Sequence, residues 1–132
     1  MVFVDASALI ALVAREADAI ELAERLEAAS PRLCSAISVW EAVAGLCRSY
    51  RFLVPEAQAS VKALMAALDI QISDIGEREC DLAIGAYERF GKGRHPAALN
   101  LGDCFAYACA VANAASLLFK GADFSRTDVP AC

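Results

Sequence analysis

The 132-residue chain has a single histidine, His95, and its six cysteines (34, 47, 80, 104, 109 and 132) form no C-x-x-C and no paired spacing. Each scarcity removes a class of chemistry. Zinc sites need clustered Cys and His, so none is expected. Two-histidine acid–base nucleases are excluded, and a Ser-His-Asp triad built on His95 finds no G-x-S-x-G to support it. The cysteines have apolar neighbours, as small buried hydrophobes of a reducing compartment do. Phosphate-binding glycine motifs are missing too: no G-x-x-x-x-G-K-[ST] occurs, and Gly91-Lys92-Gly93 follows no strand. There is no basic excess, with 12 Lys and Arg against 17 Asp and Glu. That balance argues against nucleic-acid binding through a broad basic face, but not against acids that hold a cation. The longest uncharged run, Cys104 to Phe119, is shorter than the ~18 residues a membrane helix needs. The N-terminus lacks the basic start of a signal peptide, and Asp5 interrupts its apolar run, so a cytoplasmic protein is expected.

Apolar residues, by contrast, are abundant, at 58% with a mean hydropathy of +0.45. One domain over residues 1–132 cannot hide all of them, so an apolar face that meets a partner is expected. Val2-Phe3-Val4 has no polar alternation and predicts a short strand buried on both faces. Leu33–Ala36, Ile70–Ile72 and Ser116–Phe119 predict three more. Helical spacing predicts helices over Ser7–Ala14, Ala19–Ala29, Ser38–Tyr50, Pro55–Leu68, Gly76–Phe90 and a segment from Leu101 or Gly102 to Ala115. Gly91–Pro96 is expected to be a mobile basic loop. Strands alternate with helices and hairpin signals are absent, which predicts an α/β fold: a three-layer α/β/α sandwich around a central parallel sheet.

Four acids follow strand ends or open helices, and each also has a purely structural reading. Asp5, or Ser7 beside it, is placed to cap a helix. Glu41 completes Ser38-x-x-Glu41, the pattern of a capping box. Asp103 falls in a helical first turn, where negative charge suits the dipole. Asp123 is placed to cap a turn before Phe124. In a doubly wound sheet, however, all four positions return to the same carboxyl edge. Four carboxylates there repel unless a cation joins them, and an all-oxygen set selects Mg²⁺ or Mn²⁺. Such a site suits phosphoryl chemistry by metal-activated water and needs no protein nucleophile.

Asp5-Ala-Ser7, Ser38-x-x-Glu41, Leu101-Gly-Asp103 and Phe119-Lys-Gly-x-Asp123-Phe-x-x-Thr127-Asp128 occur in that order. Together they resemble PIN-domain proteins, most closely VapC-type toxins of type II toxin–antitoxin systems. The resemblance implies an Mg²⁺- or Mn²⁺-dependent endoribonuclease that acts on RNA, is inhibited by a cognate VapB-like antitoxin, and frequently forms a homodimer. By position it implies Asp5 and Asp103 as the principal metal ligands, with Glu41 and Asp123 as the second and fourth acids. Ser7 matches a hydroxyl that supports the site. Ala122 departs from the family, which often has an acid or amide there, and removes a possible ligand for a second metal. Asp128 either supports the site or ends the last turn. Lys92 and Arg94 either meet RNA phosphates or are solvated. Trp40 either stacks a base or belongs to a core or interface. Leu9, Leu12 and Val13 are either core or part of an apolar groove for the antitoxin. Two alternatives remain from other classes: a non-catalytic PIN scaffold, and a haloacid-dehalogenase-type phosphatase, whose second Asp is replaced here by Ser7.

Overall fold

Phe3 divides the molecule. The computed structural model describes all 132 residues, and its first strand, β1 (Val2–Val4), is fully buried. Alternate strand residues face opposite ways. Phe3 and Leu117 therefore pack on one side with helices α5 (Glu77–Phe90) and α6 (Leu101–Ala112). Val2, Val4 and Leu118 pack on the other with α1 (Ala6–Ala14), α2 (Ala19–Glu27), α3 (Ala36–Tyr50) and α4 (Val54–Ala67). The remaining strands are β2 (Arg32–Cys34), β3 (Ile70–Ile72) and β4 (Ser116–Leu118). All pair in parallel in the order β3-β2-β1-β4. This is the expected three-layer α/β/α arrangement.

The strand order positions a site. From β1 the chain moves outward through β2 to β3, then crosses to the other face and returns through α5 and α6 to β4. The order thus reverses at β1, and open α/β sheets leave a crevice at the carboxyl ends of the strands where this happens. Asp5 is the first residue beyond β1, and its amide donates to the Leu118 carbonyl at 3.0 Å.

Most element boundaries fall within a few residues of those read from the sequence, with one consequential exception. α3 begins at Ala36 because Ser35, in extended conformation, accepts the Ser38 amide at 3.1 Å. Ser38 is thus inside the helix and Glu41 lies in its second turn, too far along to serve a capping box. The sequence offers two serines three residues apart, and the earlier one caps. The Gly91–Pro96 segment is a hydrogen-bonded turn. The Gly91 carbonyl accepts the Arg94 and His95 amides at 2.9 and 3.1 Å, and His95 Nδ1 accepts the Ala97 amide at 3.0 Å.

Surplus apolar surface is present as anticipated. A groove of about 810 Å³ between α3, α4 and β3 is lined by Val39, Trp40, Val43, Val54 and Ile72, and Trp40 is 72% exposed. Leu9 is wholly buried in the core and is unavailable to any groove, while Leu12 and Val13 are half-buried against the same core. No helix is long and apolar enough to cross a membrane.

Candidate active site

Asp5 is only 4% exposed and caps α1. Its Oδ2 accepts the Ser7 amide at 3.0 Å and the Ser7 hydroxyl at 2.6 Å. The capping reading is therefore realised, yet it engages one carboxylate oxygen. Burial pushes the Asp5 pKa above the ordinary carboxylate range and Asp123 adds to the rise, while the bonds from Ser7 and the Ala6 amide oppose it. Ser7 Oγ in turn accepts the Lys120 amide at 2.9 Å. One hydroxyl thus ties the exit of β1 to the exit of β4. The Lys120 ammonium reaches instead to Glu16 and Asp18, at 2.8 and 3.2 Å.

Asp103 sits in the first turn of α6 in a capping box with Asn100. The Asn100 side chain accepts the Asp103 amide at 2.9 Å, and Asp103 Oδ2 accepts the Asn100 amide at 3.0 Å. Its other oxygen takes no part in the cap. Burial raises the Asp103 pKa to about 6, with Asp5 and Asp123 contributing and the Asn100 amide opposing. Asn100 escaped the sequence reading, although Asn three residues before Asp at a helix start is a capping signal.

Glu41 comes from α3 across the edge of the sheet and lies against Gly102, the residue before Asp103. A Cβ built on Gly102 would fall on the Glu41 carboxyl group itself. Burial, then the charges of Asp5 and Asp103, push the Glu41 pKa to about 7, against the pull of Arg48 roughly two turns further along α3.

Asp123 is exposed and precedes the short 3₁₀ turn Phe124–Arg126, where its side chain makes no capping bond. It is joined to the group through its repulsion of Asp5 and Asp103. All four acids are therefore electrostatically linked. No three of the chain's Asp, Glu, Cys and His side chains stand close enough as arranged to enclose one ion. The donor set is nonetheless all oxygen, Asp5 and Asp103 each leave one oxygen outside their capping bonds, and Glu41 fills a space that a side chain at position 102 would close. Those features fit a hard divalent cation better than any other group.

The other candidates lie apart from these acids. Asp128 accepts the Tyr107 hydroxyl at 2.7 Å and pairs with Arg89 at 2.8 Å, so it anchors the C-terminal segment to α5 and α6. Arg94 stacks on Tyr87 with its guanidinium 5.0 Å from the ring centre. Lys92 lines a small apolar groove beside Tyr87 and Leu101. Neither pairs with a site carboxylate. All six cysteines are free, with Cys34, Cys104 and Cys109 buried. Burial pushes the Cys34 thiol up to about 12 and the Cys109 thiol to about 11, which leaves both inert as nucleophiles.

Comparison with known proteins adds a second line of observation. A model of the PIN domain family matches residues 2–130. A VapC ribonuclease of Rhizobium meliloti is 40% identical over 141 residues, covering 98% of this chain and 99% of its own. Ribonuclease VapC42 of Mycobacterium tuberculosis is 39% identical, covering 98% of each chain, and ribonuclease VapC30 of the same organism is 39% identical, covering 96% and 94%. The fold is similar to the crystal structure of M. tuberculosis VapC20, a toxin that cleaves the sarcin–ricin loop. The TM-score is 0.73 at 20% identity, covering 98% of this chain and 96% of that one.

Proposed function

The chain belongs to the PIN-domain family, and from that premise we propose that it is a VapC-type endoribonuclease, the toxic component of a type II toxin–antitoxin system. The observation that carries the reading is the acid constellation at the switch point of the sheet. Asp5, Glu41, Asp103 and Asp123 are electrostatically linked, and three of them have raised pKa values. Acids so perturbed, gathered in one crevice, mark a functional site, and a bound cation would relieve their mutual repulsion.

VapC ribonucleases of this family are in general divalent-metal dependent. We assign Asp5 and Asp103 as the principal ligands of Mg²⁺, or of Mn²⁺ in its place, with Glu41 and Asp123 as further ligands. When bound, such an ion polarises a scissile phosphate and activates water for in-line attack. The chain's own residues do the rest. Ser7 fixes the Asp5 carboxylate at the crevice, and the Asn100 box fixes that of Asp103. Glu41, lying against Gly102 beside Asp103, is placed to reach the same ion. Ala122 offers no ligand beside Asp123, which favours a loosely held second ion. Ser7 stands where a haloacid-dehalogenase-type phosphatase carries its second Asp, which leaves no general acid for that chemistry.

The partners follow from the same premise. We assign a VapB-like antitoxin to the groove at Val39, Trp40 and Val54, of which Trp40 adjoins Glu41 in sequence. A homodimer, a single PIN-like domain over residues 1–132 and a cytoplasmic site of action complete the reading. Lys92 and Arg94 remain the candidates for RNA phosphates, with Arg94 already stacked on Tyr87.

Cleavage of RNA by the purified protein with Mg²⁺ or Mn²⁺ tests the proposal. EDTA, Asp5→Ala and Asp103→Asn are each expected to abolish it. Persistent cleavage by Asp103→Asn overturns the mechanism. Calorimetry that finds no divalent-ion binding at millimolar Mg²⁺, with no cleavage, returns the protein to a scaffold.

A further inference from the structure

We infer that Gly102 is a positioning residue, whose missing side chain is the seat that holds the Glu41 carboxylate over the first turn of α6, next to Asp103. The inference rests on the reading of these acids as a metal site and concerns how one of them is placed. Gly102 is buried as the second residue of α6. It does not adopt the left-handed backbone that would demand glycine. Glycine in a helix gives up more chain freedom than alanine and contributes no side chain, so local structure gives no reason for it.

The neighbourhood gives one. A methyl group at Gly102 would overlap Glu41 Cδ and both its carboxylate oxygens, so the carboxylate would have to move aside to admit it. Among the chain's seven glycines the others meet different neighbours. At Gly45 the added group meets the flexible end of Ile10, at Gly91 it meets the Tyr87 backbone and ring, and at Gly85, Gly93 and Gly121 it meets nothing. At Gly76 it stays in ordinary contact distance of Glu79. Only at Gly102 does a carboxylate occupy the place of the side chain.

The seat also has electrostatic sense. The first turn of a helix presents free amide groups and the positive end of its dipole. The acid reaching from α3 meets that end of the helix at Gly102, next in sequence to Asp103, which α6 itself supplies. Asp103 is held by its cap and Glu41 occupies the gap left by its neighbour, so residues 100 and 102 both bear on how these two acids are placed.

The test is a double-mutant cycle. Gly102→Ala is expected to weaken Mn²⁺ binding to the metal-free protein by tenfold or more, measured by calorimetry, and to lower the kcat of RNA cleavage by a similar factor with KM within threefold. Its thermal midpoint should not fall, because alanine favours the helix. Adding Glu41→Asp draws the carboxylate back by ~1.5 Å and is expected to recover at least threefold of the lost binding. In a Glu41→Ala background Gly102→Ala should change Mn²⁺ binding by less than twofold and raise the thermal midpoint. Parent protein that binds and cleaves, with Gly102→Ala within twofold of it, overturns the seat alone. An equal loss in the Glu41→Ala background also overturns it, since Gly102 then acts through something else. A parent that neither binds Mn²⁺ nor cleaves RNA overturns the metal-site reading, and the purpose of the seat with it.

Discussion

Ser7 donates its hydroxyl proton to Asp5 Oδ2 across 2.6 Å and accepts the Lys120 amide at 2.9 Å. Asp5 is nearly inaccessible, so water cannot readily replace that bond. Ser7→Ala therefore leaves a buried carboxylate short of a donor, while the exposed Lys120 amide turns to water. The expected cost is about 1–3 kcal/mol of stability, read from urea denaturation of the metal-free protein. Cleavage is expected to fall at least tenfold. Ser7→Thr keeps the hydroxyl and should recover most of both. A Ser7→Ala protein with wild-type activity would remove Ser7 from the site's support.

Raised carboxylate pKa values set the sign of the pH dependence. Glu41 rises from 4.5 to about 7 and Asp103 from 3.8 to about 6 on folding. Between those limits the folded protein holds protons that the unfolded chain has released. Metal-free stability must then fall as pH rises from the ordinary carboxylate range toward neutrality. Glu16 and Asp128, with lowered pKa values, act in the opposite direction only at more acidic pH. The metal-free protein is thus expected to melt higher near pH ~5.5 than near pH ~8. Millimolar Mg²⁺ should reverse that order, because cation binding requires the ionised acids. Scanning calorimetry at the two pH values checks both statements, and a metal-free midpoint that climbs toward pH ~8 contradicts them.

How much of this was legible in the sequence differs from acid to acid. Val2–Val4 is an unbroken apolar strand, so the placement of Asp5 at its carboxyl end follows from chain order alone. Asp103 is legible twice over, as a cap residue and as an acid at the shared edge, because both roles come from its first-turn position. Glu41 is different. The local pattern Ser38-x-x-Glu41 points to a capping box, but Ser35 takes the cap and sends Glu41 into the second turn, toward α6. That outcome depends on which of two serines is better placed against the end of β2, a tertiary matter. The meeting of Glu41 with Gly102 lies beyond any local pattern, since the two are brought together only by packing of α3 against α6. The fastening of the Gly91–Pro96 turn was hidden for the same reason, as its Lys and Arg content suggests solvent while its backbone bonds to itself.

Asp128 is expected to be structural. Its carboxylate is held by the Tyr107 hydroxyl and by Arg89, which also reaches that hydroxyl at 3.3 Å. The Arg89 pair is exposed and screened by solvent, so it contributes little. The phenol bond is better sheltered and contributes about 1 kcal/mol. Tyr107→Phe should therefore destabilise more than Arg89→Ala loses through its ion pair. Asp128→Asn is expected to leave Mn²⁺ affinity within twofold of the parent. A larger loss on calorimetry would bring Asp128 into the site.

Asp103→Asn separates stability from activity most sharply. The amide oxygen of asparagine can still accept the Asn100 amide, so the capping box that starts α6 survives. What disappears is a partly buried negative charge and its repulsion of Glu41. The metal-free variant is expected to be more stable than the parent at pH ~8, by on the order of 1 kcal/mol. The gain should vanish below the Asp103 pKa of about 6, where the parent's acid is itself protonated. Cleavage should fall at least a hundredfold because a principal ligand is lost. Asn100→Ala makes the converse case, since it removes the cap and costs about 1 kcal/mol while leaving every acid in the chain. Urea titrations of both variants at two pH values, beside cleavage rates, decide the matter. An Asp103→Asn protein less stable than the parent at pH ~8 would mean that the cap bond outweighs the charge repulsion, and that these acids are not held together at the expense of the fold.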